Sequence, residues 1–164
     1  MFELRPLSPS AIPSALAKAE RYRLLNEGGQ AESICQDVLA VEPDNQDALA
    51  MMILSITDQF RDEATAAHVG RAERLVPLLH DPYTRAYYAA LIHERRARAA
   101  IDAGRATMAY EWLRAALQGF DRAIALRPAG NDDAVLRWNA CVRAIERVPA
   151  PREGDHAESA IMSE

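Results

Sequence analysis

Lysine is nearly missing from this chain: Lys18 is the only one in 164 residues, so arginine supplies almost all of the positive charge. The formal net charge is −5 and the isoelectric point is near 5.4. That balance argues against a nucleic-acid binder, because phosphate contacts need clustered positive charge. Cysteine is scarce as well. Cys35 and Cys141 stand far apart with no redox or metal-knuckle spacing, and each falls on the apolar stripe of an expected helix, where a thiol is a small buried hydrophobe. No run of eighteen apolar residues occurs, and the stretch MFELRPLSPS lacks a basic segment followed by an apolar one. Neither a membrane span nor a secretory leader is therefore expected, and the cytoplasm is the expected location. Phosphate loops of the G-x-x-x-x-G-K or G-x-G-x-x-G type are absent. His68, His80, His93 and His156 form no H-E-x-x-H spacing, and only Glu153 with His156 gives Glu-x-x-His, in a polar segment. No metal, cofactor or catalytic residue is expected.

What is present is a hydrophobic content of 49 % over a length suited to one domain with a sizeable core. One spacing recurs three times: Ala31, Cys35, Val38, Pro43; then Thr65, Val69, Ala72, Pro77; then Ala116, Phe120, Ala123, Pro128. Small, large, small, proline describes a helix that packs closely through its small residues, inserts one bulky side chain and stops where proline cannot donate. Pro43 and Pro77 lie 34 residues apart. Upstream, Ala15, Ala19 and Tyr22, and then Leu49, Ile53 and Ile56, mark a partner helix for the first two units.

These residues and this period resemble the tetratricopeptide repeat family over roughly residues 12 to 128. The family's tryptophan and leucine are replaced in the first unit by Ala15 and Lys18, and its usual aromatic by Cys35 and Val69. The third unit is longer, with Pro77 and Pro128 separated by 51 residues. Asp81 to Ala103 and Arg105 to Arg127, split by Gly104, read as two helices of over twenty residues that project about 10 Å beyond their neighbours at ~1.5 Å per residue. Asn131 or Asp132 is expected to cap a last helix whose stripe is Ala134, Trp138, Cys141 and Ile145, a lid over the final apolar face. The expected fold is all-α: three helical hairpins plus a capping helix, seven helices over residues 11–148, preceded by an extension (1–10) and followed by a flexible acidic tail (149–164).

Gly28-Gly29-Gln30 resembles the hydrolytic signature of peptide-chain release factors. It sits where the first hairpin reverses, so the simpler reading is a turn in which a glycine takes positive φ and Gln30 opens the next helix. The run His93 to Arg98 reads as a solvated charged face apart from Glu94, which lies in register with Tyr83, Tyr87, Ala90, Ala97 and Ile101. Counting from Gly104, Glu94 is expected to meet Arg114 across the hairpin. Tyr88 lies about a hundred degrees around from Tyr87 and is expected to face a groove.

The resemblance implies a non-catalytic scaffold or adaptor that holds a peptide or partner protein on the inner face made by the first helix of each hairpin. Positions one turn apart on those helices are Leu16, Glu20 and Arg23, then Ala50, Leu54 and Thr57, then Thr84, Tyr88, Leu91 and Arg95. Members that clamp acidic chaperone tails use a lysine and an asparagine where this chain has Leu16 and Glu20, so such tails are not the expected ligand. The alternatives are a dedicated chaperone of the small three-repeat secretion type, or a subunit of an enzyme complex. Neither nucleic acid nor membrane is an expected partner, and a homodimer remains open.

Overall fold

The computed structural model describes residues 2–61 and 65–150. Most of the acidic segment, including Glu153 and His156, lies outside the described residues. Within them there are seven α-helices and no strand: α1 (Ile12–Leu24), α2 (Gly28–Val41), α3 (Gln46–Thr57), α4 (Thr65–Leu75), α5 (Pro82–Asp102), α6 (Ala106–Leu126) and α7 (Asp133–Ile145). None is long and apolar enough to cross a membrane. Each helix packs against the next in the chain, and the odd-numbered ones also touch side by side, α1 against α3 and α3 against α5.

Local chemistry sets the ends. Asn45 accepts the Ala48 N–H at 2.9 Å to open α3, and Asp81 accepts the Thr84 N–H at 2.7 Å with Pro82 at the first helical position of α5. At the tip of the long hairpin Gly104 adopts φ 73°, and Arg105 N–H reaches back to the Ala100 carbonyl at 2.8 Å. That left-handed stop is glycine's ordinary use. The α1–α2 turn closes by the same bonds with a different residue. Asn26 carries the positive φ, 62°, and Glu27 N–H bonds the Tyr22 carbonyl at 2.9 Å.

The expectation that a glycine of Gly28-Gly29-Gln30 supplies this φ is therefore corrected: both glycines are the opening residues of α2. Gly28 is needed for space, since a Cβ there would stand 2.9 Å from the Ser55 carbonyl oxygen and 3.1 Å from Gln59 Cγ. Gln30 is exposed.

The recurring small and large positions form the core. Ala31, Cys35, Val38, Ala72, Ala116, Phe120 and Ala123 have no exposed surface, and Val69 has 4 %. Helices α5 and α6, 21 residues each, cross where Gly119 faces Ala90, and a Cβ on Gly119 would lie 2.7 Å from that of Ala90. Backbone approach this close multiplies dispersion contacts along both helices. Arg96 adds a cation–π stack on Trp112, 4.1 Å from the ring centre. At the far end Asn131 links α5 to α7, accepting the Tyr83 hydroxyl at 3.2 Å and the Asp133 N–H at 3.0 Å. Of the two expected caps of α7, Asn131 thus bonds the first turn, while Asp132 makes no capping bond.

The two neighbouring glycines of α2 should respond oppositely. Gly28→Ala is expected to destabilise by about 1 to 3 kcal/mol through overpacking. Gly29→Ala, whose nearest neighbour would be Gln59 Oε1 at 3.5 Å, should be neutral or gain about 0.5 to 1 kcal/mol of helix propensity. Urea unfolding of the two variants checks this, and equal losses would mean that space at Gly28 is not the constraint.

Candidate functional site

One face of the molecule is lined by α1, α3, α5 and α7. Its floor carries a row of charges that step from helix to helix. Arg23 of α1 donates to Asp58 at 2.7 Å, just past the end of α3, and Arg95 of α5 reaches the same carboxylate at 3.5 Å. Next to Arg95, Glu94 accepts from Arg137 of α7 at 3.2 Å. Burial would lower the Arg137 guanidinium, but Glu94 and the Tyr87 hydroxyl outweigh it and hold its pKa above the ordinary value. Glu94 is 8 % exposed, so an unpaired carboxylate there would be costly.

The expected Glu94–Arg114 pair is absent: Arg114 bonds Glu111 within its own helix. A carboxylate in the α5 stripe meets whatever helix covers it, and counting from the bend cannot reveal that α7 does so. The solvated-face reading of His93 to Arg98 is corrected for the same reason. Glu94 and Arg95 are tied into the floor, Arg96 stacks on Trp112, and Arg98 alone of the charged residues in the run is exposed.

Two cavities mark the ends of the face. Near the N-termini of α3, α5 and α7, a hollow of about 340 Å³ is lined by Tyr83, Tyr87 and Tyr88 with Ala50 and Thr84, and rimmed by Asp47, Asp81 and Asp133. Tyr87 and Tyr88 meet edge to face, 5.3 Å between ring centres. Burial raises the Tyr88 hydroxyl pKa, with Tyr87 acting in the same direction and Arg23 against it. At the opposite end, a hollow of about 210 Å³ is lined by Arg23, Arg95 and Arg98 together with Thr57, Asp58 and Asp102. Acidic residues near helix N-termini and Arg23 in the last turn of α1 also suit the helix dipoles.

The ten positions expected on the inner face divide into three groups. Ala50, Thr84 and Tyr88 line the tyrosine hollow, while Arg23, Thr57 and Arg95 line the arginine hollow. Glu20 is exposed. Leu16 and Leu54 are half-buried against core clusters, and Leu91, with no exposed surface, belongs to the core itself.

Sequence reasoning missed Asp58, Asp133 and Arg137. A signal for Asp58 exists: it stands 35 residues after Arg23 and 37 before Arg95, close to the repeat period. Other cross-unit bonds have the same separation, Arg61 to Asn26 at 35 and His80 N–H to Gln46 at 34. Glu32 was missed as well. This buried carboxylate of α2 pairs with Arg71 of α4 and accepts from Gln59 at 2.8 Å.

Both thiols are buried, and burial disfavours their ionisation. Burial pushes Cys35 up to about 11, against Arg23 and Ser55, and Cys141 to about 12, where Glu94 adds to the effect and Arg137 opposes it. Among the described residues no three His, Cys, Asp or Glu side chains converge as a metal set would. No family model, curated protein or solved structure matches the chain.

Both features are measurable. In a double-mutant cycle, Glu94→Gln and Arg137→Gln should couple by about 1 to 2 kcal/mol, whereas Glu94→Gln and Arg114→Gln should add. Coupling to Arg114 instead would restore the cross-hairpin pair. Ellman's reagent at about pH 8 should leave both thiols unmodified in the folded protein and titrate both in guanidinium; rapid native labelling of either would contradict its burial.

Proposed function

We propose that this chain is a non-catalytic interaction scaffold of the tetratricopeptide type, three helical hairpins closed by α7, which holds a segment of a partner protein along the face of α1, α3, α5 and α7. The observation that carries this reading is the spacing of its cross-helix bonds. Side chains about one repeat period apart in sequence bond across neighbouring odd helices, as Arg23 to Asp58 and Asp58 to Arg95 do. Each unit then presents the same helix to one continuous inner surface.

The chemistry of that surface suits recognition. Tyrosines at one end offer rigid aromatic area with a polar tip, the type of side chain that anchors interfaces. Arginines at the other offer forked donors for carboxylates. A bound segment would therefore be oriented, apolar or aromatic toward Tyr88 and acidic toward Arg95. The expectation that acidic chaperone tails are not clamped at Leu16 and Glu20 concerns the earlier part of α1. Among the α1 positions expected on that face, the positive charge is Arg23, one turn later.

Ala50→Arg and Thr84→Arg fill the tyrosine hollow without removing a core side chain, and Gln118→Arg, on exposed α6 surface, is the control. Affinity capture from the native host with mass spectrometry should recover the partner with the wild-type chain and the control. Recovery should fall about tenfold or more with either hollow variant, a loss of ~1.4 kcal/mol or more in binding, with circular dichroism unchanged. Equal recovery by all four proteins would place the binding surface elsewhere.

A further inference from the structure

The arginine hollow is over-supplied with positive charge. Among the described residues, Arg23, Arg61, Arg95 and Arg98 share the hollow with two acidic side chains, Asp58 and Asp102, in a chain whose formal net charge is −5. Two of the arginines share the single Asp58 carboxylate, and the buried Nε of Arg95 has no hydrogen-bond partner among the described residues. Burial lowers the Arg95 guanidinium pKa; Asp58 and Glu94 act against this, but Arg137 and Arg23 add to it, and the net direction stays downward. Of the Arg95 side chain 27 % still reaches solvent. A partly desolvated guanidinium that shares its counter-ion and still reaches solvent attracts a further carboxylate.

The chain carries such carboxylates. Residues 151–164 read PREGDHAESAIMSE, in which Glu153, Asp155, Glu158 and Glu164 stand against Arg152. They follow directly on Ala150, and α7 delivers the chain to the arginine end of the inner face. Ala144, in the last turn of α7, lines a cavity of about 200 Å³ that also contains Arg98 and Asp102, and both of these line the arginine hollow. Val148 packs on the adjoining core. Fourteen residues span up to ~45 Å when extended, ample for adjoining hollows.

We propose that the acidic segment 152–164 docks its carboxylates on Arg95 and Arg98 and so occupies the arginine end of the inner face in the isolated protein. This rests on reading that face as the binding surface. A tethered segment is present at an effective concentration on the order of millimolar, so an acidic partner segment must outbid it before it can bind. The hollow is then selective against weak acidic ligands.

The test uses the full chain. Backbone amide NMR of the wild type at low salt should place residues 153–164 away from random-coil positions. They should return there in Arg95→Gln/Arg98→Gln and in about 0.5 M sodium chloride, where charge contacts are screened. Because Arg95 also bonds Asp58, a second variant leaves every described contact in place: Glu153→Gln/Asp155→Asn/Glu158→Gln/Glu164→Gln. It should bind a hexaglutamate probe at least about fivefold more tightly than the wild type, as removal of a tethered competitor requires. Random-coil positions in the wild type, or equal probe affinity in the two proteins, would overturn the proposal. So would a gain in probe affinity confined to Asp62→Asn/Glu63→Gln, which would assign the arginines to residues 62–64. All of these readings are made on isolated protein, so a negative partner-capture result and a negative docking result are distinguishable.

Discussion

Close approach between helices is the constraint on which the rest of this molecule depends. At Gly28, α2 comes so near the end of α3 that a single methyl group would collide with the Ser55 carbonyl, and at Gly119, α6 meets α5 with no room for a Cβ beside Ala90. Fully buried alanines recur through the even helices at Ala31, Ala72, Ala116 and Ala123. With backbones this close, each even helix packs tightly against the odd helices next to it in the chain. Distances across the odd helices are then short enough for side chains to bridge, and the row from Arg23 through Asp58 to Arg95 is a consequence of that spacing.

Arginine is suited to this arrangement in a way that lysine is not. The buried or half-buried carboxylates Glu32, Asp58 and Glu94 are each met by a guanidinium from another helix, Arg71, Arg23 with Arg95, and Arg137 respectively. A planar fork can serve two acceptors, or one acceptor and an aromatic ring, with less loss of side-chain freedom per bond than an ammonium. Apolar residues of equal volume in place of such pairs often preserve stability. What the pairs add is geometry, because each fixes the rotation of one helix relative to its neighbour. The face lined by α1, α3, α5 and α7 is polarised, with Asp47, Asp81, Asp133 and the tyrosines at one hollow and Arg23, Arg95 and Arg98 at the other.

The thiols and His93 take no part in that polarity, whereas His80 lines the tyrosine hollow and lies 2.9 Å from Asp44. Cys35 and Cys141 are sealed in the layer between helices, and burial lowers the pKa of His93, helped by Arg96 and Arg122 and opposed by Glu73.

The amino-acid order alone determined the helices and the residues they bury. Small-large-small spacing, the breaks at Pro43, Pro77 and Gly104, and the apolar periods of α5 and α6 are local signals, and a helix is a local structure whose hydrogen bonds close within four residues. That Ala50, Thr84 and Tyr88 line one hollow and Arg23, Thr57 and Arg95 another has the same local origin, since side chains one turn apart share a face of their helix. Which carboxylate each arginine meets was decided only by the tertiary structure. Glu94 bonds Arg137 and not Arg114 because α7, not α6, lies over that side of α5, and Gly28 is confined by α3 and not by its own φ. Those choices depend on the rotation and separation of whole helices, which no local spacing in the chain encodes.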